Sequence, residues 1–176
     1  MDKTLLPLAN HGITLAEVPS ETALFLEIGL CEIKCLGCHS PHLTCRNCEF
    51  YTDEQVENLI NSYLKNYPAI TAVVFMGGLH NTGVDKQALR KLIERIRVPV
   101  CIYSGKEEDL KELAEWNNLK WLKTGAYVAR LGGIEDASSN QHFYEKKMNI
   151  IFDKYGVYYD RVYYWEDITY KFRKGV

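Results

Sequence analysis

The chain has 176 residues, 47% of them hydrophobic and 25% charged, with a formal net charge of −2. That length suits one domain with a sizeable core and is tight for two. The balanced composition argues against disorder and gives no basic footprint for nucleic acid. No apolar run approaches the roughly 20 residues of a helical membrane span. The opening stretch, MDKTLLPLANHG, is too short and interrupted in its apolar part for a secretory leader. These features predict a cytoplasmic protein with no membrane partner.

The first predicted strand is Thr22–Leu30, TALFLEIGL, a short apolar run ending near Gly29. A cysteine-rich loop, residues 31–50, follows it. TDEQVENLINSYLKNY then reads as an amphipathic helix. Thr52 and Gln55 have capping-box spacing, Val56, Leu59, Ile60, Tyr63 and Leu64 share one face, and Pro68 ends it. Ala69–Met76 is β-branched and apolar, a second strand closed by Gly77-Gly78. DKQALRKLIERIR gives a second helix, with Ala88, Leu89, Leu92, Ile93 and Ile96 on one face. VPVCIYS is a third strand. Ser104 with Glu107 has the spacing to cap a third helix over GKEEDLKELAEWNN, and LKWLKT is a short fourth strand.

After Thr124 the pattern becomes irregular. GAYVARLGGIEDASSNQHFYE has the Gly, Asp, Ser and Asn content of a long loop, the kind of segment that usually carries function. The tail alternates aromatic and charged residues and adds at most a late strand. One domain over 1–176 is expected, with the cysteine loop and an irregular region, 124–176, appended to it. Strands alternating with helices predict an α/β domain with a largely parallel sheet. Four such units are too few to close an eight-stranded barrel. Ligands of open parallel sheets sit at the C-terminal strand ends. The cysteine loop and the Gly77-Gly78 turn both follow strands, so both fall on that edge.

Five of the six cysteines lie within Cys31–Cys48. A stapled secreted scaffold spreads its cysteines, so this cluster points to metal or redox work. Cys31, Cys35 and Cys38 offer three thiolates at short spacing, which leaves one iron of a four-iron cluster open to another ligand. The alternative pairs Cys35 and Cys38 with Cys45 and Cys48 in a four-thiolate zinc site. Cys101 sits in an apolar strand as a small core residue. His42 and His80 read as exposed or supporting residues rather than ligands.

The stretch CEIKCLGCHSP resembles the C-x3-C-x2-C signature of the radical S-adenosylmethionine (SAM) superfamily. HGITLAEVPSETALF before it, and VVFMGG, KTGAYVARLGG, SSNQHFYE and EDITYKF after it, are similar to the activating protein of anaerobic, class III ribonucleotide reductase. The resemblance implies an open partial (β/α) barrel, short and laterally open. It implies a [4Fe–4S] cluster on Cys31, Cys35 and Cys38, with SAM bound at the open iron. Reductive cleavage of SAM would give a 5′-deoxyadenosyl radical, which takes a hydrogen from a glycine on the large reductase subunit. An electron donor such as a flavodoxin or ferredoxin is implied as well. By the same resemblance Gly37, Cys38 and His39 would lie along the adenine. Gly77 and Gly78 would approach the SAM ammonium, and Asn140 of SSNQ would contact SAM or the partner's glycine loop.

Two features stand apart from the family pattern. Leu79 occupies the place of an acid after the two glycines, so no carboxylate role transfers there. Cys45 and Cys48 lie outside the signature and are candidates for a second metal or a redox pair. Two other functions fit the same residues: a radical SAM enzyme acting on another glycyl-radical enzyme or a small molecule, and a non-catalytic zinc-binding interaction module.

Overall fold

The computed structural model describes residues 5–38, 40–44 and 48–173. Among them, eight strands form a single sheet: β1 Leu5–Thr14, β2 Ala23–Ile28, β3 Glu49–Thr52, β4 Ala72–Met76, β5 Val100–Tyr103, β6 Leu119–Thr124, β7 His142–Phe152 and β8 Tyr158–Asp167. The described helices are α1 Asp53–Asn66, α2 Lys86–Arg95 and the short α3 Leu110–Ala114, with 3₁₀ turns at Pro41–Thr44 and Thr169–Phe172. The sheet order is β3-β1-β2-β4-β5-β6-β7-β8.

The expectation of an open partial (β/α) barrel is wrong. The sheet does not close, and strands outnumber helices. Only β2, β4, β5 and β6 run parallel. The β1–β2, β1–β3, β6–β7 and β7–β8 pairs are antiparallel. The parallel centre is therefore flanked by antiparallel strands on both sides, and these need no crossover helices.

Alternation along the central strands sorts the core into two layers. Leu24, Leu26, Ile28, Val73, Phe75, Val100, Ile102 and Leu122 face the helices and pack with Val56, Ile60, Leu89, Leu92, Ile93 and Leu113. Ala23, Val74, Cys101 and Trp121 face the other way, against Val18, Ile134, Phe143 and Ile168. Cys101 is fully buried, and burial pushes its thiol pKa well up, as suits a packing residue.

The helix starts follow local chemistry. Thr52 caps α1: its hydroxyl oxygen accepts the Gln55 N–H at 3.2 Å. The Gln55 side chain accepts the Thr52 N–H in return, at 2.8 Å, which completes a capping box. Asp85 caps α2. The third helix departs from the expected cap at Ser104. It starts later, at Asp109, whose carboxylate takes the N–H groups of Lys111 and Glu112. Two residues of first-turn backbone are satisfied there by one carboxylate, which Ser104 cannot do from five positions upstream. Among the described residues, no helix is long and apolar enough to cross a membrane.

Candidate functional site

The loop after β2 is wound tightly. Leu30 (φ 58°), Lys34 (φ 52°) and Gly37 (φ 76°) all take left-handed backbone within a short stretch. Such backbone is uncommon outside glycine, so two non-glycine cases this close mark a constrained loop. Backbone bonds hold the loop at both ends. Cys31 N–H donates to Leu43 C=O at 2.9 Å, Glu32 N–H to His80 C=O at 3.1 Å, and Thr82 N–H to Leu30 C=O at 3.0 Å. Cys31 also forms a bridge with Asn81. The cysteine loop and the loop after β4 are thus joined along their backbones.

Asn81 reinforces the join. It is 8% exposed, and its side-chain amide donates to Ile28 C=O at 2.9 Å and Gly29 C=O at 2.8 Å. Its carbonyl oxygen accepts Gly78 N–H at 2.7 Å. One side chain therefore fixes the end of β2 to the Gly77-Gly78 turn. Both glycines have positive φ, 110° and 107°, where a side chain is disfavoured.

Between these loops and the ends of β5 and β6 lies a cavity of about 310 Å³. Cys31, Cys35, Cys38, Gly77 and Asn81 line it, together with Tyr103 and Ser104 from the end of β5, Lys123 and Gly125 from β6 and beyond, Glu17 and Gln141. The three thiols are half-buried and free of disulfides. Ser40 N–H donates to Cys38 Sγ at 3.3 Å. Among the described residues, no three His, Cys, Asp or Glu side chains stand together at ligand spacing for one metal ion. The thiols share the cavity without converging on a point.

Glu17, Tyr103 and Lys123 bring opposite charges to this cavity. The Tyr103 hydroxyl donates to Glu17, whose carboxylate lies 2.8 Å away. Lys123 Nζ sits 4.8 Å from the Tyr103 ring centroid, a cation–π distance. Burial pushes the Tyr103 pKa well up and lowers that of Lys123, while Glu17 favours the lysine's charged form.

The other expected site residues fall as follows. Gly37 abuts the loop after β6: a Cβ there would lie 3.1 Å from Ala129 Cβ. A Cβ on Gly78 would point at Leu89 of α2, 2.8 Å from its Cδ2, so this glycine faces the helix layer while Gly77 lines the cavity. Leu79 packs against the same helix-side core, which accounts for an apolar residue at that position. The Asn140 side chain donates to Ala126 C=O at 3.0 Å, and its neighbour Gln141 is the residue that lines the cavity. His42 is joined to Glu27 and His80 to Glu108. His39 and Cys45 lie outside the described residues.

Cys48 lines a different cavity, with His11, Glu49 and Tyr51. It sits against Gly29, where a Cβ would lie 3.1 Å from its Sγ, and burial raises its thiol pKa. It thus faces a different cavity from the three thiols, and burial disfavours its thiolate. Cys48→Ser is expected to leave the absorption and electron paramagnetic spectra of a cluster on Cys31, Cys35 and Cys38 unchanged. Loss of those spectra in a folded variant would make Cys48 a ligand.

Sequence reading missed Glu17, Asn81, Tyr103, Ser104, Lys123 and Gln141. Tyr103, Ser104 and Lys123 had one available signal: each stands at the C-terminal end of a parallel strand, where open α/β sheets bind ligands. Gln141 belongs to the SSNQ segment already singled out, one residue past the expected Asn140, whereas Glu17 is brought in by long-range packing. No protein-family model, curated protein or solved structure matches this chain.

Proposed function

We propose that this protein is a radical SAM activase that generates the glycyl radical of anaerobic, class III ribonucleotide reductase. The observation that supports it is the meeting of Cys31, Cys35, Cys38 and the Gly77 turn on one cavity at the ends of the parallel strands. Soft, unpaired, half-buried thiols form a donor set that suits iron and sulfide. Cys31, Cys35 and Cys38 would hold a [4Fe–4S] cluster, each thiolate on a different iron, so the three need not converge on one point. A bound cluster would supply the one-electron chemistry that the reductive cleavage of SAM needs.

The chain's own residues do the rest. Gly77 gives the cavity a wall of bare backbone, since a Cβ there would press on Asn81 at 3.0 Å and displace the side chain that holds the turn. The Ser40 N–H donates to Cys38 Sγ and so orients that ligand. Glu17, Tyr103 and Lys123 build a polar wall from groups already committed to one another. That wall presents fixed charges and dipoles to a charged cofactor. The partner is the large reductase subunit, and a flavodoxin or ferredoxin serves as electron donor. The protein is cytoplasmic and binds neither nucleic acid nor membrane.

The test is anaerobic reconstitution with iron and sulfide, followed by SAM, reductant and a class III reductase. The expected result is a brown chain, release of 5′-deoxyadenosine, and a glycyl-radical signal on the reductase by electron paramagnetic resonance. A colourless chain carrying zinc would overturn the reading. SAM cleavage without any glycyl radical on the reductase would overturn the choice of partner.

A further inference from the structure

The end of β5 carries a hydrogen-bonded chain for which the chemistry above has no use. Ser104 is 6% exposed and lines the cavity. Its hydroxyl makes a short hydrogen bond with Glu108 Oε1. The same oxygen lies 2.6 Å from His80 Nε2. The Glu108 side chain is 6% exposed and that of His80 27%, so the chain runs from the cavity through a buried carboxylate to a ring at the solvent edge.

An ionised carboxylate only accepts hydrogen bonds. Ser104 O–H donates to Glu108 Oε1, and the Nε2–H tautomer of His80 donates to the same oxygen. Lys106 N–H, 3.2 Å from Ser104 Oγ, fills one of that oxygen's lone pairs. One lone pair remains. With its proton committed to Glu108, Ser104 can present only an acceptor to whatever occupies the cavity. A free serine would rotate to suit either a donor or an acceptor. The backbone holds the chain in place, since His80 C=O accepts Glu32 N–H beside Cys31.

We propose that Ser104 is a ligand-binding residue of this cavity. Glu108 and His80 act as positioning residues that fix its hydroxyl as an acceptor for an ammonium or hydroxyl group of the ligand. The inference rests on SAM as that ligand, a molecule that carries both kinds of donor. It adds a selective element: an analogue offering an acceptor at the same place meets a lone pair and is rejected.

Two measurements test it. In the metal-free chain labelled with 15N-histidine, Ser104→Ala and Glu108→Gln are each expected to shift the His80 ring-nitrogen signals. The signals of His42 and His142, which bond Glu27 and Asp167, are expected to stay in place. In the cluster-loaded chain, calorimetric titration with SAM is expected to show about tenfold weaker binding for Ser104→Ala. Glu108→Gln is expected to weaken binding as well, and to add little once Ser104 is alanine, because it acts through that hydroxyl. Unchanged SAM affinity in Ser104→Ala, or His80 signals indifferent to both substitutions, would overturn the proposal. A loaded wild-type chain that binds no SAM would instead overturn the reading of function, and the histidine spectra would still decide whether the Ser104–Glu108–His80 chain exists.

Discussion

Alanine at Cys31, Cys35 or Cys38 is expected to abolish both cluster loading and SAM cleavage. Each substitution removes one of three thiolates, and among the described residues no other cysteine lines the cavity to replace it. Cys48 stands at a separate cavity, and Cys101 is fully buried in the core and does not reach the cavity wall. The fold should survive, because the three side chains are only half-buried and cap no helix. Thermal or urea unfolding of the metal-free variants is expected within about 0.5 kcal/mol of wild type, the usual range for substitutions away from core features. Iron and sulfide content per chain, and 5′-deoxyadenosine formed per hour, are the readouts. A triple-alanine variant with full iron content and activity would defeat the proposed ligand set.

The parallel centre was legible in the sequence because each of its strands is a short apolar run bounded by a turn signal. Ala72–Met76 and Val100–Tyr103 are buried on both faces and read as continuous hydrophobic stretches. The flanking strands hid for physical reasons. β1 contains Pro7, Asn10 and Gly12, residues that usually punctuate strands, and it carries a bulge between Leu8 and Asn10. In β7 and β8 the alternation is not apolar against polar. Met148, Ile150, Phe152, Val162 and Tyr164 are all exposed, so burial cannot have set the pattern. The inner ends of these strands are anchored in the core by Phe143 and by pairing with β6, their outer halves are held by their mutual ladder, and without them the chain looked like barrel units rather than an open mixed sheet.

The candidate site divides in the same way. Clustered cysteines and paired glycines are local signals, and they survive without any knowledge of tertiary structure. What local signals cannot give is direction. Gly77 and Gly78 are adjacent and have nearly equal φ, yet one lines the cavity and the other faces Leu89. A bulky residue at 78 would therefore strain the helix layer rather than fill the cavity. Asn140 and Gln141 show the same offset by one residue on the opposite loop. Glu108 is a further case. A glutamate beside Glu107 and Asp109 reads as one of a solvated run, and only the fold turns its carboxylate inward.

Asn81→Leu is expected to be the most destabilising of the substitutions considered for this site. The side chains are close in size, so the change isolates hydrogen bonding from volume. Leucine leaves Ile28 C=O, Gly29 C=O and Gly78 N–H without their partner. A buried polar group left unsatisfied costs about 1–3 kcal/mol. The three bonds share one side chain and are not independent, so the sum falls short of the full penalty. A loss of about 2–4 kcal/mol in urea unfolding is expected, a large share of the stability of a domain this size. Asn81→Asp separates the two halves of the staple. An aspartate still accepts Gly78 N–H, but it cannot donate to the two carbonyls, so its loss should approach that of leucine. Because Asn81 and Cys31 also bridge through their backbones, both variants are expected to load less iron than their folded fraction predicts. A leucine variant within about 0.5 kcal/mol of wild type, with full cluster loading, would show that Asn81 is not what joins the cysteine loop to the glycine turn.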